Sequence, residues 1–197
     1  MSEKRLLSLM ILFLGIAIFL SYHIYYHFVD TSNSNSVKNY FQKVKNESSN
    51  QEMSVKKIIS NNETENYAGV LIIPKINLKT GFYDKNSKKN NVDNSVTLLK
   101  ESIMPNNSNS VVYLAAHSGV GHLAFFKKII NLTIEDIIFL NYDNKEFPYT
   151  VTDVYEMPKN GNISINRNIN ENYLVLTTCS KNENMQLVIV SKMLNLI

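Results

Sequence analysis

The 197-residue chain contains one cysteine, two arginines and no tryptophan, and each shortage narrows what it can do. A lone Cys179 cannot close an intramolecular disulfide, so a disulfide-stapled scaffold is excluded. Arg5 and Arg167 are the only arginines, so any step that needs a bidentate guanidinium has to use one of them. The remaining positive charge is lysine, and 20 Lys+Arg against 17 Asp+Glu leave a net charge of +3. That balance is mild, and no dense basic run or basic-aromatic interleaving accompanies it. Nucleic-acid binding is therefore not expected. No metal-ligand cluster is visible either, so no metal or cofactor is expected.

Long apolar runs are equally scarce, since there is only one. Residues 6–20, broken by Ser8 alone, follow Lys4 and Arg5 and lead into Tyr22, Tyr25 and Tyr26, with Ile24 and Phe28 among them. Extended through the tyrosines, the run has the length a bilayer core requires. No small-x-small cleavage site follows it, so residues 1–29 are expected to be an uncleaved signal anchor rather than a cleaved signal peptide. The positive-inside rule then keeps Lys4 and Arg5 in the cytoplasm and puts the rest of the chain outside. Residues 30–66 are rich in Asn, Ser, Lys and Glu and read as a polar stalk with one or two marginal helices. Val37, Tyr40, Phe41 and Val44 fall at helical spacing there, and Met53, Val55, Ile58 and Ile59 do so more loosely.

The compact domain is expected over 67–197. Apolar, β-branched runs predict strands near 69–73 (stopped by Pro74), 76–83, 96–99, 111–116, 137–140, 149–155, 173–179 and 186–190. In the sixth of these, Tyr149, Val151, Asp153 and Tyr155 share one face by alternation. Residues 123–130 predict a helix, with Leu123, Phe126 and Ile130 on one side and Lys127 and Lys128 on the other. Several short strands, one helix and no strand-helix-strand rhythm point to a mainly β antiparallel barrel or sandwich.

Two strands end in reactive residue types. One runs into His117-Ser118-Gly119, and the other ends in Cys179. The residues alone leave two readings of Cys179 open, a small buried hydrophobe or a nucleophile held at a rigid strand end. An extracytoplasmic address makes an odd thiol either reactive, intermolecularly linked or buried. Histidine is the usual activator of a cysteine, and His117 stands where a buried strand gives way to a loop. His122 reads as an exposed or capping residue. Ser118 lacks the glycine pattern of a nucleophile elbow, which argues against a serine enzyme.

Together, the anchor, the stalk, the Ala115-Ala116-His117-Ser118-Gly119 strand end, the Ala124-Phe125-Phe126 segment and the Leu176-Thr177-Thr178-Cys179 strand end resemble a sortase. Sortases are membrane-anchored cysteine transpeptidases of Gram-positive bacteria. The resemblance covers about 67–197 plus the anchor. It implies an eight-stranded β-barrel with short helices behind an N-terminal transmembrane helix, with His117 and Cys179 meeting at one end of neighbouring strands. It implies cleavage of an LPxTG-like sorting-signal peptide of secreted surface proteins through a thioacyl enzyme. The acyl group then passes to an amine acceptor, a cell-wall precursor or a pilin lysine. The implied location is the cell membrane, single-pass, with the N-terminus cytoplasmic and the catalytic domain extracellular.

One departure stands out. Sortases carry an arginine at the start of the strand after the cysteine, and this chain has Gln186 there. Glutamine keeps the amide donors and loses the charge. The substrate-orienting role is expected from Gln186, or from Arg167 if the segment before the Cys179 strand folds over the site. The plain reading of Arg167 is a solvated surface residue. A calcium site of loop carboxylates, known in some sortases, stays open, because Asp84, Asp93 and Glu101 lie in loops. A catalytically silent peptide-binding barrel and a membrane-anchored cysteine hydrolase are the alternative readings.

Overall fold

The apolar run and the first part of the expected stalk form one continuous helix. The structure is a computed structural model and describes residues 3–49, 66–160 and 162–194. Helix α1, Glu3–Ser49, is continuous over 47 residues, about 70 Å at 1.5 Å per residue. No proline interrupts it and Gly15 is its only glycine, so nothing in the backbone forces a break. Its first half is apolar all round and exposed at Leu7, Met10, Phe13, Phe19 and Leu20, a surface that suits lipid rather than water. Among the described residues it is the one helix long and apolar enough to cross a membrane. The looser stripe from Met53 to Ile59 lies outside the described residues.

The polar middle of α1 is a poor helix by composition and is held by the domain it touches. Val37 and Tyr40 are buried against Tyr67 and Val70, with Phe41 and Val44 beside them. Tyr67 Oη donates to Asn33 Oδ1 at 3.0 Å, and the Lys79 ammonium sits 4.5 Å from the centre of the Phe41 ring. A Cβ on Gly81 would lie 2.0 Å from the Tyr67 ring, so only glycine lets that ring lie against the strand.

Eight strands follow: β1 Gly69–Ile73, β2 Leu78–Phe82, β3 Thr97–Leu98, β4 Val111–Ala115, β5 Ile137–Tyr142, β6 Lys145–Pro158, β7 Tyr173–Cys179 and β8 Met185–Met193. They hydrogen-bond in the order β2-β1-β5-β6-β8-β7-β4-β3, and a Phe82–Val96 bridge draws the two ends towards each other in a nearly closed barrel. Leu71, Ile73, Phe82, Leu114, Ile138, Leu140, Leu174, Leu176 and Ile189 fill its interior. The eight-stranded, mainly β architecture is the one expected, with one exception to the antiparallel rule: β4 and β7 run parallel.

Two local expectations are corrected. Between Val151 and Asp153 the pairing of β6 with β8 slips by a residue, a β-bulge that leaves Thr152 as the extra residue. Tyr149 and Val151 therefore face the interior, while Tyr155 and Met157 pack on a second cluster outside it with Val111, Tyr173, Val175, Val188 and Val190. The four residues do not share one face. Residues 123–130 form no α-helix; they run through successive turns into a 3-10 helix, Ile129–Asn131. Phe126 donates its N–H to His117 O at 2.9 Å, and Ile129 N–H to Phe126 O at 3.2 Å. Phe126 and Ile129, three apart as a 3-10 geometry requires, are the buried pair, and Ile130 is exposed.

Candidate active site

A parallel pair of strands finishes at one rim, and the two candidate residues stand at its ends. Ala115 of β4 lies opposite Thr177 of β7, and His117 and Cys179 each stand two residues further on. The pairing continues past the strands' ends. Ala116 N–H donates to Thr177 O at 3.3 Å, Thr178 Oγ1 donates to Ala116 O at 2.6 Å, and Ser118 Oγ donates to Cys179 O at 2.7 Å. Neighbouring strands are about 4.8 Å apart, so the His117 and Cys179 backbones are adjacent. By alternation both side chains share the outer face with Tyr113 and Val175, opposite the core face of Leu114 and Leu176.

Cys179 is exposed and is a free thiol. Its rigidity comes from β7, whose preceding six residues are all buried. Gln186 is its register partner across the β7–β8 hairpin and therefore shares its face. The Gln186 amide is loosely held, with Nε2 donating to Pro158 O and Oε1 accepting from Thr177 Oγ1, both at 3.4 Å. A tight turn joins the two strands: Ser180 N–H donates to Met185 O at 3.1 Å, and Ser180 Oγ reaches Glu156 Oε1 at 2.5 Å.

The His117 ring is exposed, and its Nε2 lies 3.4 Å from Asp93 Oδ1. Asp93 sits in the loop between β2 and β3, 24 residues before the histidine. Sequence reasoning placed Asp93 among scattered loop carboxylates and gave it no part in the site. No local pattern could have found it, because only the fold brings that loop to the end of β4. Asp93 thus faces an imidazole, and among the described residues no group of three or more His, Cys, Asp and Glu is placed to hold a metal ion.

Arg167 is exposed in the connection between β6 and β7. Burial pushes the Tyr113 phenol above its usual pKa, the Arg167 guanidinium pulls the other way, and Glu101 adds to the rise. Tyr113 precedes His117 by four residues, about 13 Å of strand. The structure brings Gln186, not Arg167, to the register position beside the thiol. The β6–β7 connection is itself pinned over this face. Tyr155 Oη donates to Ser164 O at 2.8 Å, Ile163 and Ile165 pack on the outer cluster, and Tyr173 Oη accepts from Asn168 N–H at 3.1 Å. An apolar wall thus leads along the strands to the thiol, imidazole and amide at the rim. His122, expected as an exposed or capping residue, is half-buried with its ring against Tyr25 of α1.

The arrangement puts a free thiol, an imidazole and a neutral amide at one rim of the barrel. A family model described as a sortase domain matches residues 71–194. The chain is also similar to solved structures. A Clostridium perfringens sortase D5 transpeptidase shares 16% identity at a TM-score of 0.63, over 84% of this chain and 99% of that one. Sortase C of Streptococcus pneumoniae shares 18% at 0.59, over 85% and 94%. A lid mutant of sortase A from Corynebacterium diphtheriae shares 13% at 0.61, over 85% and 96%. No curated protein matches the sequence significantly.

Proposed function

The chain belongs to the sortase family, and from that premise we propose that it is a cysteine transpeptidase working through Cys179 and His117. The observation that carries the reading is the in-register placement of these two residues on parallel strand ends, with Gln186 opposite the thiol. The Cys179 thiolate attacks the scissile carbonyl of an LPxTG-like sorting signal laid along the outer face. The carbonyl π pair moves onto oxygen, and as the tetrahedral species collapses the C–N bond breaks and protonated His117 gives its proton to the leaving amine. The product is a thioester on Cys179. An acceptor amine then attacks that thioester, neutral His117 takes its proton, and the C–S bond breaks to restore the thiolate. The acceptor is an amine of a cell-wall precursor or a pilin lysine, and the enzyme works outside the cell from its N-terminal anchor.

Stabilisation of the oxyanion falls to Gln186. The Ser180 N–H, next to the thiol, is already spent on Met185 O, so the side-chain amide is the mobile donor on this face. Removing one such donor costs about a hundred- to a thousandfold in rate, and a neutral amide in place of a guanidinium yields a slower enzyme rather than a dead one.

The test incubates the protein with an LPxTG-type peptide, with and without an added amine, and follows adducts by intact mass. A thioacyl adduct on Cys179 and amide product with added amine are expected. Equal release of free acid with or without amine would make it a hydrolase. No adduct at all, with Cys179→Ala indistinguishable from wild type, would leave a peptide-binding barrel and sink the proposal.

A further inference from the structure

Two clefts lie away from Cys179, in the angle between α1 and the barrel. One, about 480 Å³, is bounded by Tyr22 and Asp30 of α1, by the turn after β1, and by the loop from Val120 to Lys128. The other, about 580 Å³, continues along α1 past Val37 to Lys45. They share Asp30, Asn33, Asn77 and Lys79 and so form one trough. Its charge is one-sided. Lys38, Lys45, Lys79, Lys127 and Lys128 line it, against the single carboxylate of Asp30. Lys79 is fixed there by the Phe41 ring, 4.5 Å from its ammonium.

The trough starts at a defined height on the helix. Tyr22 borders its lower end, and Tyr25, one turn further, packs edge-on against the His122 ring at 4.7 Å. Tyrosines in this position mark the membrane-water interface. From Tyr22 to Asn33 the helix rises about 16 Å, and the headgroup layer above the hydrocarbon is about 5–8 Å thick. Only the lower end of the trough, where the loop from Val120 to Lys128 meets Tyr22 and Tyr25, is therefore level with lipid phosphates, whereas Lys38, Lys45 and the Phe41 ring that holds Lys79 stand about 24–35 Å above Tyr22. Val120, almost fully exposed at 91%, projects from the same loop as an apolar tip.

We propose that the lower end of this trough, with Lys127 and Lys128, binds the phosphate headgroup of an anionic phospholipid of the surrounding leaflet, and so fixes the height and tilt of the barrel on the membrane. The inference rests on reading the apolar first half of α1 as the membrane span. Neutral zwitterionic lipid would not satisfy two adjacent lysines when the one carboxylate of the lining, Asp30, stands about 12 Å above Tyr22. A surface lysine near anionic lipid is worth about fivefold in affinity, so two are worth about 25-fold.

The full chain is reconstituted in vesicles of phosphatidylcholine alone, or with part of it replaced by radiolabelled phosphatidylglycerol, floated, then extracted into mild detergent and assayed for retained lipid. Stoichiometric retention of phosphatidylglycerol over phosphatidylcholine is expected. Lys127→Gln with Lys128→Gln should lower it about 25-fold, whereas Lys79→Gln, on a lysine held by Phe41 above the headgroups, should leave it unchanged. An unchanged melting curve shows that the double variant does not unfold the barrel. Equal retention of both lipids, or full retention by the double variant, overturns the proposal. Displacement of the label by inorganic phosphate assigns the trough to a free anion instead. If the chain fails to float with either vesicle, the membrane span itself is wrong and the inference falls with it.

Discussion

Cys179 and His117 are each exposed at the rim of the barrel. Their chemistry then depends on what sits within reach, which is Gln186 on one side and Asp93 on the other. For Gln186, truncation to alanine is expected to slow acylation about a hundredfold with KM little changed, because the amide acts on developing charge. Gln186→Arg should act at least as fast as wild type. Single-turnover acylation reads both, and an unchanged rate in Gln186→Ala would remove the residue from the mechanism. Asp93 is 84% exposed, so its pairing with His117 is worth little and is screened by salt. Asp93→Asn is expected to lower kcat about threefold at low ionic strength and to match wild type in concentrated salt. A deficit that persists at high salt would mean that Asp93 does more than orient the ring. The thiol and histidine were legible in the sequence because each follows an apolar run. Asp93 was not, since its partner is reached only through the fold.

At the scale of elements, the parallel β4–β7 seam makes the site. Antiparallel strands in the same places would put His117 and Cys179 at opposite ends, about 16 Å apart for a five-residue strand. The apolar runs showed both strands but not their relative direction, because pairing between residues sixty apart leaves no local pattern; only the family resemblance, which implied that His117 and Cys179 meet at one end of neighbouring strands, pointed to a parallel pair. The β6 bulge was hidden for a related reason: alternation in sequence assumes an uninterrupted ladder. At the rim, the seam is closed by the buried Thr178 hydroxyl on Ala116 O. Thr178→Val keeps the shape and orphans that carbonyl, so it should cost about 1–3 kcal/mol by urea unfolding. Turnover should fall with it if the strand ends must stay in register. A second tie joins the turn after β1 to the loop before β5. Burial alone would raise the Asp136 pKa, but hydrogen bonds from Lys75 Nζ at 2.7 Å and Thr133 N–H at 2.6 Å outweigh it and hold the carboxyl below its usual value. A lowered folded-state pKa gives stability that is complete above the unfolded value, about 3.9, and is lost as pH falls through the folded one. Asp136→Asn is therefore expected to destabilise by about 1 kcal/mol at pH 7. The two proteins should converge in unfolding curves taken well below the ordinary carboxylate range.

Across the whole molecule, the helix that carries the apolar run also carries the barrel. Residues 27–49 extend about 35 Å beyond the tyrosines, yet the barrel does not ride at their end. It docks on the middle, through Val37 and Tyr40 against Tyr67 and Val70. A freely jointed stalk would let the thiol sample many heights, whereas a docked helix holds it at one. The helical spacing of Val37, Tyr40, Phe41 and Val44 was readable, but the stripe looked like a marginal stalk helix because its partner surface lies on β1. Each buried side chain at such a contact contributes about 1.5–3 kcal/mol, so one charge placed there should release the helix without touching the barrel core. Val37→Asp is expected to leave the thermal unfolding of the barrel nearly unchanged. Trypsin should cut at Lys38, Lys43 and Lys45 about thirtyfold faster, the factor that corresponds to about 2 kcal/mol of lost docking. Acylation by a soluble peptide should be unaffected, because Val37 packs on Tyr67 and Val70, whereas His117, Cys179 and Gln186 stand at the ends of β4, β7 and β8. Equal cleavage rates in wild type and variant would show that the helix is already free, and the rigid mount would have to be abandoned.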